Sequence, residues 1–416
     1  MPQKDDILRK STDIKLPIPL WEFVAMIAAF LALNALAIDT MLPALGHVGD
    51  FYKIKDPNDQ QLIIFSYILG FGFPQLFFGP LSDRLGRKVL LQTCLVGFAI
   101  AGLCCMLAGT FSMLLTLRFL QGVFAAGIRV IASAIVRDVT AGRVMARIMS
   151  LVFTVFMIVP IIAPAIGTLI LAFLSWKWTF GMLGVAGAIM FVWTQFRLPA
   201  TLPPDNRQPL NVKHITASYM TVLSNRVSFG YMIASGLAFG ALFAFIGSSE
   251  QLMDEVYHQG DKFWIWFAVI SSGIGVASLV NAKIVERVGM RRISHSVLIL
   301  FIVSSGLNLV LQYMFGPVFW IFLPLFTLTF GCFGMMGANF SSLALEPLGE
   351  IAGTASAVYG FATSTLSALI GLAIAKQFDG SVLPILTGFV GLGLASFVVV
   401  LWTEHGKLFE HGVGKT

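Results

Sequence analysis

Charge is what this sequence has least of: Asp, Glu, Lys and Arg together supply 12% of its 416 residues, where a soluble domain carries about a quarter. A chain that is 57% hydrophobic and so poor in charge cannot clothe itself in a solvated shell, which excludes a water-soluble globule and indicates a membrane protein. Cysteine is scarce too. Cys94, Cys104, Cys105 and Cys332 all fall inside apolar runs, so no disulfide framework or metal site is implied. The six histidines, His47, His214, His258, His295, His405 and His411, are dispersed over loops, tails and run ends, and there is no nucleotide-binding glycine loop. Lacking a nucleophile with its base, a metal cluster and a sizeable soluble domain, the chain does not read as an intramembrane enzyme or a receptor.

What is present is long apolar sequence. Runs able to cross about 30 Å of hydrocarbon at about 1.5 Å per residue begin near residues 20, 61, 89, 112, 148, 178, 227, 263, 294, 317, 352 and 382. None alternates polar with apolar as barrel strands do, so twelve transmembrane helices and an all-α membrane fold are expected. The first run is longer than a signal-peptide core and is expected to be retained. With the N-terminus in the cytoplasm, 20 of the 27 Lys and Arg lie on that side and five, Lys53, Lys55, Lys177, Lys262 and Lys376, on the other. That bias puts both termini in the cytoplasm. The net charge of +6 therefore reads as topology and contact with anionic lipid, not as nucleic-acid binding. The two remaining cations, Arg118 and Arg129, lie inside the fourth run.

The longest polar, proline-bearing connection divides the chain into a tail (1–19), a six-helix half (20–197), a cytoplasmic linker (198–226), a second six-helix half (227–403) and a tail (404–416). "DRLGRK" at 83–88 is echoed by "ERVGMR" at 286–291, offset by 203 residues and in the same place after the second helix of its half. Duplicated halves enclosing a site near midmembrane are the architecture of many secondary transporters. Since one chain supplies both pseudo-symmetric halves, a monomer is expected.

The stretch "GPLSDRLGRK" (79–88) reads as a short hairpin in which Arg84, Arg87 and Lys88 obey the orientation rule and Gly86 permits the turn. Asp83 sits where the helix dipole disfavours an anion. It is expected either to cap the helix that begins near Ala352 or to pair with Arg137, closing the cytoplasmic side in one state, with Gly79 allowing close approach. Glu286 and Arg287, at the echo, join these residues in the expected gate.

This stretch resembles the loop signature of the major facilitator superfamily, Gly-x-Leu-Ser/Ala-Asp-Arg-x-Gly-Arg-Lys. "IDTMLPAL", "RFLQG", "AIVRD", "APAIGT" and "ALEPLGEIAGTASAVYGF" resemble its bicyclomycin-resistance (Bcr/CflA) branch of drug:proton antiporters. The resemblance covers about residues 30–375. It implies a twelve-helix facilitator fold in the bacterial cytoplasmic membrane, exporting small drug-like molecules against proton entry by alternating access, with the proton as coupling ion and no cofactor. An uptake permease of the same fold stays open; it differs in the sign of coupling.

Asp39 is the one acid clearly inside an apolar helix, and an intramembrane carboxylate is a functional candidate by default. It lies roughly 27 Å along its helix, and Arg118 lies about 9 Å in from the outer end of the antiparallel fourth helix, at a comparable level. Proton carrier and tuner are the roles expected of the pair, as the resemblance also implies; the alternative is that Asp39 merely caps the "DTMLP" break. At about 100° per residue, Arg118, Gln121, Arg129 and Ser133 share one face of the fourth helix, expected to line the central cavity; the alternative for Arg129 is snorkelling to the surface. Such a cavity is positive and suits a neutral, zwitterionic or anionic substrate. Asn339 and Tyr359 are further candidate contacts, or glue between helices.

Four departures from the resembled pattern stand out: no second acid in "AAFLALNALAID", Ser133 where an Arg is usual with Arg129 one turn away, Glu250 in place of a proline, and Thr168 in place of a final Gly. Pro160, Pro164 and Gly167 in the fifth helix resemble the antiporter kink. Packing alone is the other reading of that kink.

Overall fold

Apolar sequence surrounded by hydrocarbon must satisfy its own backbone, so it runs as helix until proline or glycine interrupts it. The computed structural model describes residues 18–140, 142–202 and 212–409; most of both tails, and residues 203–211 of the linker, lie outside the described residues. The first span is α1 (Leu20–Asp39), broken before Pro43 by a short 3-10 turn and resumed as α2 (Leu45–Tyr52). The second is α3 (Leu62–Gly72) and α4 (Gln75–Leu85), bent by 47° at Pro74. Then follow α5 (Arg87–Met106), α6 (Phe111–Val139), α7 (Gly142–Phe173) and α8 (Lys177–Arg197).

Within the expected linker, α9 (Val212–Ser224) is a helix that the polar composition does not advertise. Its Val222 is buried against Met232, Ala355 and Val358, and Tyr219 donates to the Leu76 carbonyl at 2.6 Å, so it packs across both halves. The second half comprises α10 (Arg226–Gln251), α11 (Phe263–Val288), α12 (Met290–Phe315), α13 (Phe319–Leu345), α14 (Ala352–Ala375) and α15 (Leu383–Thr403). Ten of these segments are long and apolar enough to cross a membrane, the bent α3–α4 pair makes an eleventh, and Met157–Phe173 is the apolar part of α7 at the fifth expected position. Phe173 and Phe196 are each 80% exposed, as lipid-facing side chains are and soluble surfaces are not.

The duplication is written in the backbone. Gly86 and Gly289, 203 residues apart, take φ of 94° and 90° between their helices, a left-handed region that costs glycine little. Gly70 and Gly273 share the same offset: a Cβ on Gly70 would lie 2.0 Å from the Phe119 carbonyl oxygen, and one on Gly273 2.6 Å from that of Thr327. Both are crossings of the second and fourth helices of a half.

Charged clusters tie down the loop end of each half differently. In the first, Arg87 pairs with Asp83 at 2.6 Å and Asp138 at 2.9 Å. In the second, Arg291 pairs with Glu346 and Glu404, both at 3.0 Å, and Tyr231 donates to Glu404 at 2.7 Å. The halves touch through α14 on α3 and α4, and through α7 on α11.

Because backbone cannot yield as a flexible side chain can, Gly70→Ala is expected to lower stability by about 1–3 kcal/mol. Gly79→Ala, whose Cβ meets nothing within 4 Å, is expected to leave it unchanged; thermal unfolding of both variants in detergent checks the contrast.

Candidate functional site

The helix α1 stops at Asp39, ahead of Pro43; Thr40 still donates to the Leu36 carbonyl at 3.1 Å, and the carbonyls after it are left without i+4 donors. In a bilayer these need replacements. Arg118, fully buried, serves one of them: its Nη2 donates to the Ala37 carbonyl at 2.8 Å, while its Nε donates to the Ile63 carbonyl of α3 at 3.3 Å and its Nη1 to Gln121 Oε1 at 2.7 Å. The guanidinium also lies 4.5 Å from the Tyr67 ring centroid and 5.5 Å from that of Phe180. Thr40 at the break meets Gly167 of α7, where a Cβ would come within 2.0 Å of the Thr40 carbonyl oxygen. Pro160 and Pro164 lie inside the same helix.

Asp39 ends α1, is 5% exposed, and makes no hydrogen bond or ion pair among the described residues. The expected meeting with Arg118 is therefore indirect. Ala37 and Asp39 are about 200° apart around the helix, so the arginine that holds one carbonyl does not reach the carboxylate two residues on.

A polar cavity of about 510 Å³ lies between the halves, lined by Gln75, Arg129, Ser133, Tyr359 and Thr363, and reaches Gly79, Asp83 and Arg137 at the loop end. Arg129 stands roughly 15 Å up α6 from its loop-end terminus, 5.5 Å from the Phe71 ring centroid; Tyr359 bonds Ser235 at 2.6 Å. Asp83 is the cavity's acid and Arg87 engages it, whereas Arg129 and Arg137 have no carboxylate partner among the described residues. At the opposite end the halves are sealed. Asn58 donates to the carbonyls of Lys376 and Phe378 at 3.2 and 2.8 Å, Gln61 donates to Gln251 at 2.7 Å, and Lys376 pairs with Asp59 at 2.7 Å.

Several expectations need correction. The stripe on α6 divides: Arg129 and Ser133 face the cavity, while Arg118 and Gln121 are buried inside the first half. Asn339 is off the cavity wall and bonds Asn281 at 2.8 Å, the glue role. Asp83 neither caps α14 nor meets Arg137, because Arg87 four residues on takes it in this conformation. Arg137 lies instead beside Gly353, with its Nη1 3.1 Å from where a Cβ would stand. Arg84, Glu286 and Arg287 are exposed and without partners among the described residues. Asp138 lay within the quoted "AIVRD" without a role assigned to it, and sequence reading missed the polar seam of Asn58, Asp59 and Gln61, which only its position at a helix end would have marked. A larger groove of about 790 Å³ on α11 and α13, with Val276, Trp320 and Leu328 exposed, faces lipid.

This fold and cavity are those of a membrane transporter rather than an enzyme, and the comparisons define the class. The family model of the Major Facilitator Superfamily matches residues 21–372, and the chain belongs to that family. It is 29% identical to the bicyclomycin resistance protein homolog of Haemophilus influenzae, over 86% of this chain and 92% of that one. It is also 29% identical to the multidrug resistance protein MdtL of Salmonella typhi, over 85% and 89%. Among solved structures, the xylose transporter XylE of E. coli superposes with a TM-score of 0.75 at 10% identity, covering 95% of this chain and 99% of that one. The human organic anion transporter MFSD10 superposes with 0.62 at 17%, covering 92% and 100%.

Asn339→Ala is expected to cost about 1 kcal/mol of stability, as interhelical hydrogen bonds in membranes do, and to leave ligand affinity unchanged; unfolding and binding assays on the same preparation check both.

Proposed function

We propose that this protein exports small molecules by proton-coupled antiport, with its basic loop end and both termini in the cytoplasm of a bacterial cell and with one chain forming the working unit. Drug-resistance relatives and the excess of Lys and Arg at that end support the reading. The observation that carries the mechanism is the separation of two groups. Among the described residues, Asp39 is buried without a partner by the sealed end and Arg129 is without a carboxylate partner in a cavity at the open end.

An isolated carboxylate costs several kcal/mol to ionise in a nonpolar site and far less in water. A change in the exposure of Asp39 therefore loads or releases a proton, which makes it the carrier. Arg118 is a positioning residue: by bonding the Ala37 carbonyl it fixes the turn on which Asp39 sits. Substrate enters from the cytoplasm beside Arg129, Ser133 and Tyr359, with Phe71 offering a ring face. A cation without a carboxylate partner selects neutral, zwitterionic or anionic compounds over lipophilic cations. The residues at 79–88, with Arg137 and the echo at Glu286 and Arg287, form the gate that closes when the outer seam opens. Gly79, which faces empty space here, gives the other half room to approach.

Proton movement in proteoliposomes, on adding a panel of compounds graded in charge, tests this. The unmodified protein is expected to discharge an imposed pH gradient with antiport polarity, and Asp39→Asn to abolish the response. Retained coupling in Asp39→Asn reduces Asp39 to a cap, and the opposite polarity makes the protein an uptake permease. Arg129→Gln is expected to weaken binding of anionic compounds by about tenfold or more, the worth of one charge-assisted contact, and to spare neutral ones; titration of each compound reads this directly.

A further inference from the structure

The sealed end contains a carboxylate that the mechanism above does not use. Glu250 lies in the last turn of α10, between Ser249 and Gln251, where the second half presses on the first. On one side of it, Gln61 of the first half donates to Ser248 at 3.4 Å and to Gln251 at 2.7 Å, and Gln251 donates to Asn58 at 3.2 Å. On the other side is α2: Glu250 Oε1 rests against Gly46, only 3.2 Å from where a Cβ would stand. The carboxyl group is thus part of the seam. It is partly buried and has no hydrogen bond or ion pair among the described residues.

Among the described residues no cation compensates it. The charges that act on Glu250 are Asp254 and Glu255, on the π turn that continues its helix, and Asp50 of α2. His47, next to Gly46, is exposed, and the nearby seam cation, Lys376, is already paired with Asp59 at 2.7 Å. A partly buried carboxylate whose charged neighbours are acids is disfavoured when ionised. Parting the halves at this end would hydrate it and remove that cost.

We infer that Glu250 is a proton-operated latch on the outer side, neutral whenever α2 and α10 are closed and ionised when they part. The inference rests on the orientation proposed above. A proton taken from the outer medium then favours closure, so the acidic side of the gradient drives the return towards the cytoplasm-facing state. That proton goes back to the outer side on reopening and is not transported, which separates Glu250 from Asp39: one regulates access, the other carries.

The test is hydrogen exchange of residues 44–52 and 246–253 in the full, ligand-free chain in nanodiscs, between about pH 5 and about pH 8 and corrected for intrinsic rates. Protection in the unmodified protein is expected to fall with rising pH, by up to about tenfold per pH unit for each linked proton. In an Asp39→Asn background, which removes the carrier's own linked proton, Glu250→Gln is expected to stay protected with no slope, while Asp39→Asn alone and Asp39→Asn with Glu250→Asp keep the slope. No slope in the unmodified protein, or a slope that survives when Glu250→Gln is combined with Asp39→Asn, overturns the latch. Loss of the slope in Asp39→Asn overturns it as well, since Asp39 then works the gate, and leaves the antiport reading intact; continued coupling in Asp39→Asn sinks the carrier assignment alone.

Discussion

A helix that ends inside a membrane needs outside donors for its last carbonyls, and the rest of this structure is arranged around that need at Ala37. Water cannot fill it there. Arg118 does, at 2.8 Å, and in doing so buries a permanent charge whose remaining donors must also be met. Gln121, the Ile63 carbonyl and the faces of Tyr67 and Phe180 meet them. The first, second, fourth and sixth helices are thereby tied into one unit. Gly167, admitting the Thr40 carbonyl, adds the fifth. Asp39 owes its isolation to this arrangement: the cation that its position suggests is engaged by backbone.

The two halves repeat one plan with different chemistry. Their hairpin glycines adopt the same left-handed geometry, and their helix crossings use glycine at the same offset. Their interiors diverge. The first half holds Arg118 and Tyr67, whereas the second packs phenylalanines along α13, with Phe322 to Phe326 at 4.6 Å and Phe326 to Phe330 at 5.8 Å between ring centroids. An apolar column of this kind suits a rigid counterweight, while the half with the helix break holds the buried Asp39 and Arg118.

Much of this was legible beforehand. Helix number and order follow from run length, because hydrocarbon thickness sets a minimum that soluble helices need not meet. The turn at Gly86 followed from residue type, and its echo at Gly289 from spacing. The α6 stripe was half legible: periodicity put Arg118 and Arg129 on one face, yet a face about 120° wide is broad enough for its outer end to point into the bundle and its inner end into the cavity. Asn339 was ambiguous for a similar reason, since a polar residue in a span serves a ligand or a neighbouring helix equally well until the neighbour, Asn281, is known.

The sequence by itself therefore determined what one-dimensional physics controls: the spans, the places where proline and glycine interrupt them, and which few polar groups must be compensated in lipid. Only the tertiary structure decided who compensates whom. That Arg118 serves the Ala37 carbonyl, that Arg87 takes both Asp83 and Asp138, and that Glu250 rests on Gly46 with acids as its charged neighbours are matters of distance between residues far apart in the chain. Electrostatic and hydrogen-bond energies in a medium of low dielectric constant change steeply over a few ångströms, a scale that residue type and spacing along the chain do not resolve.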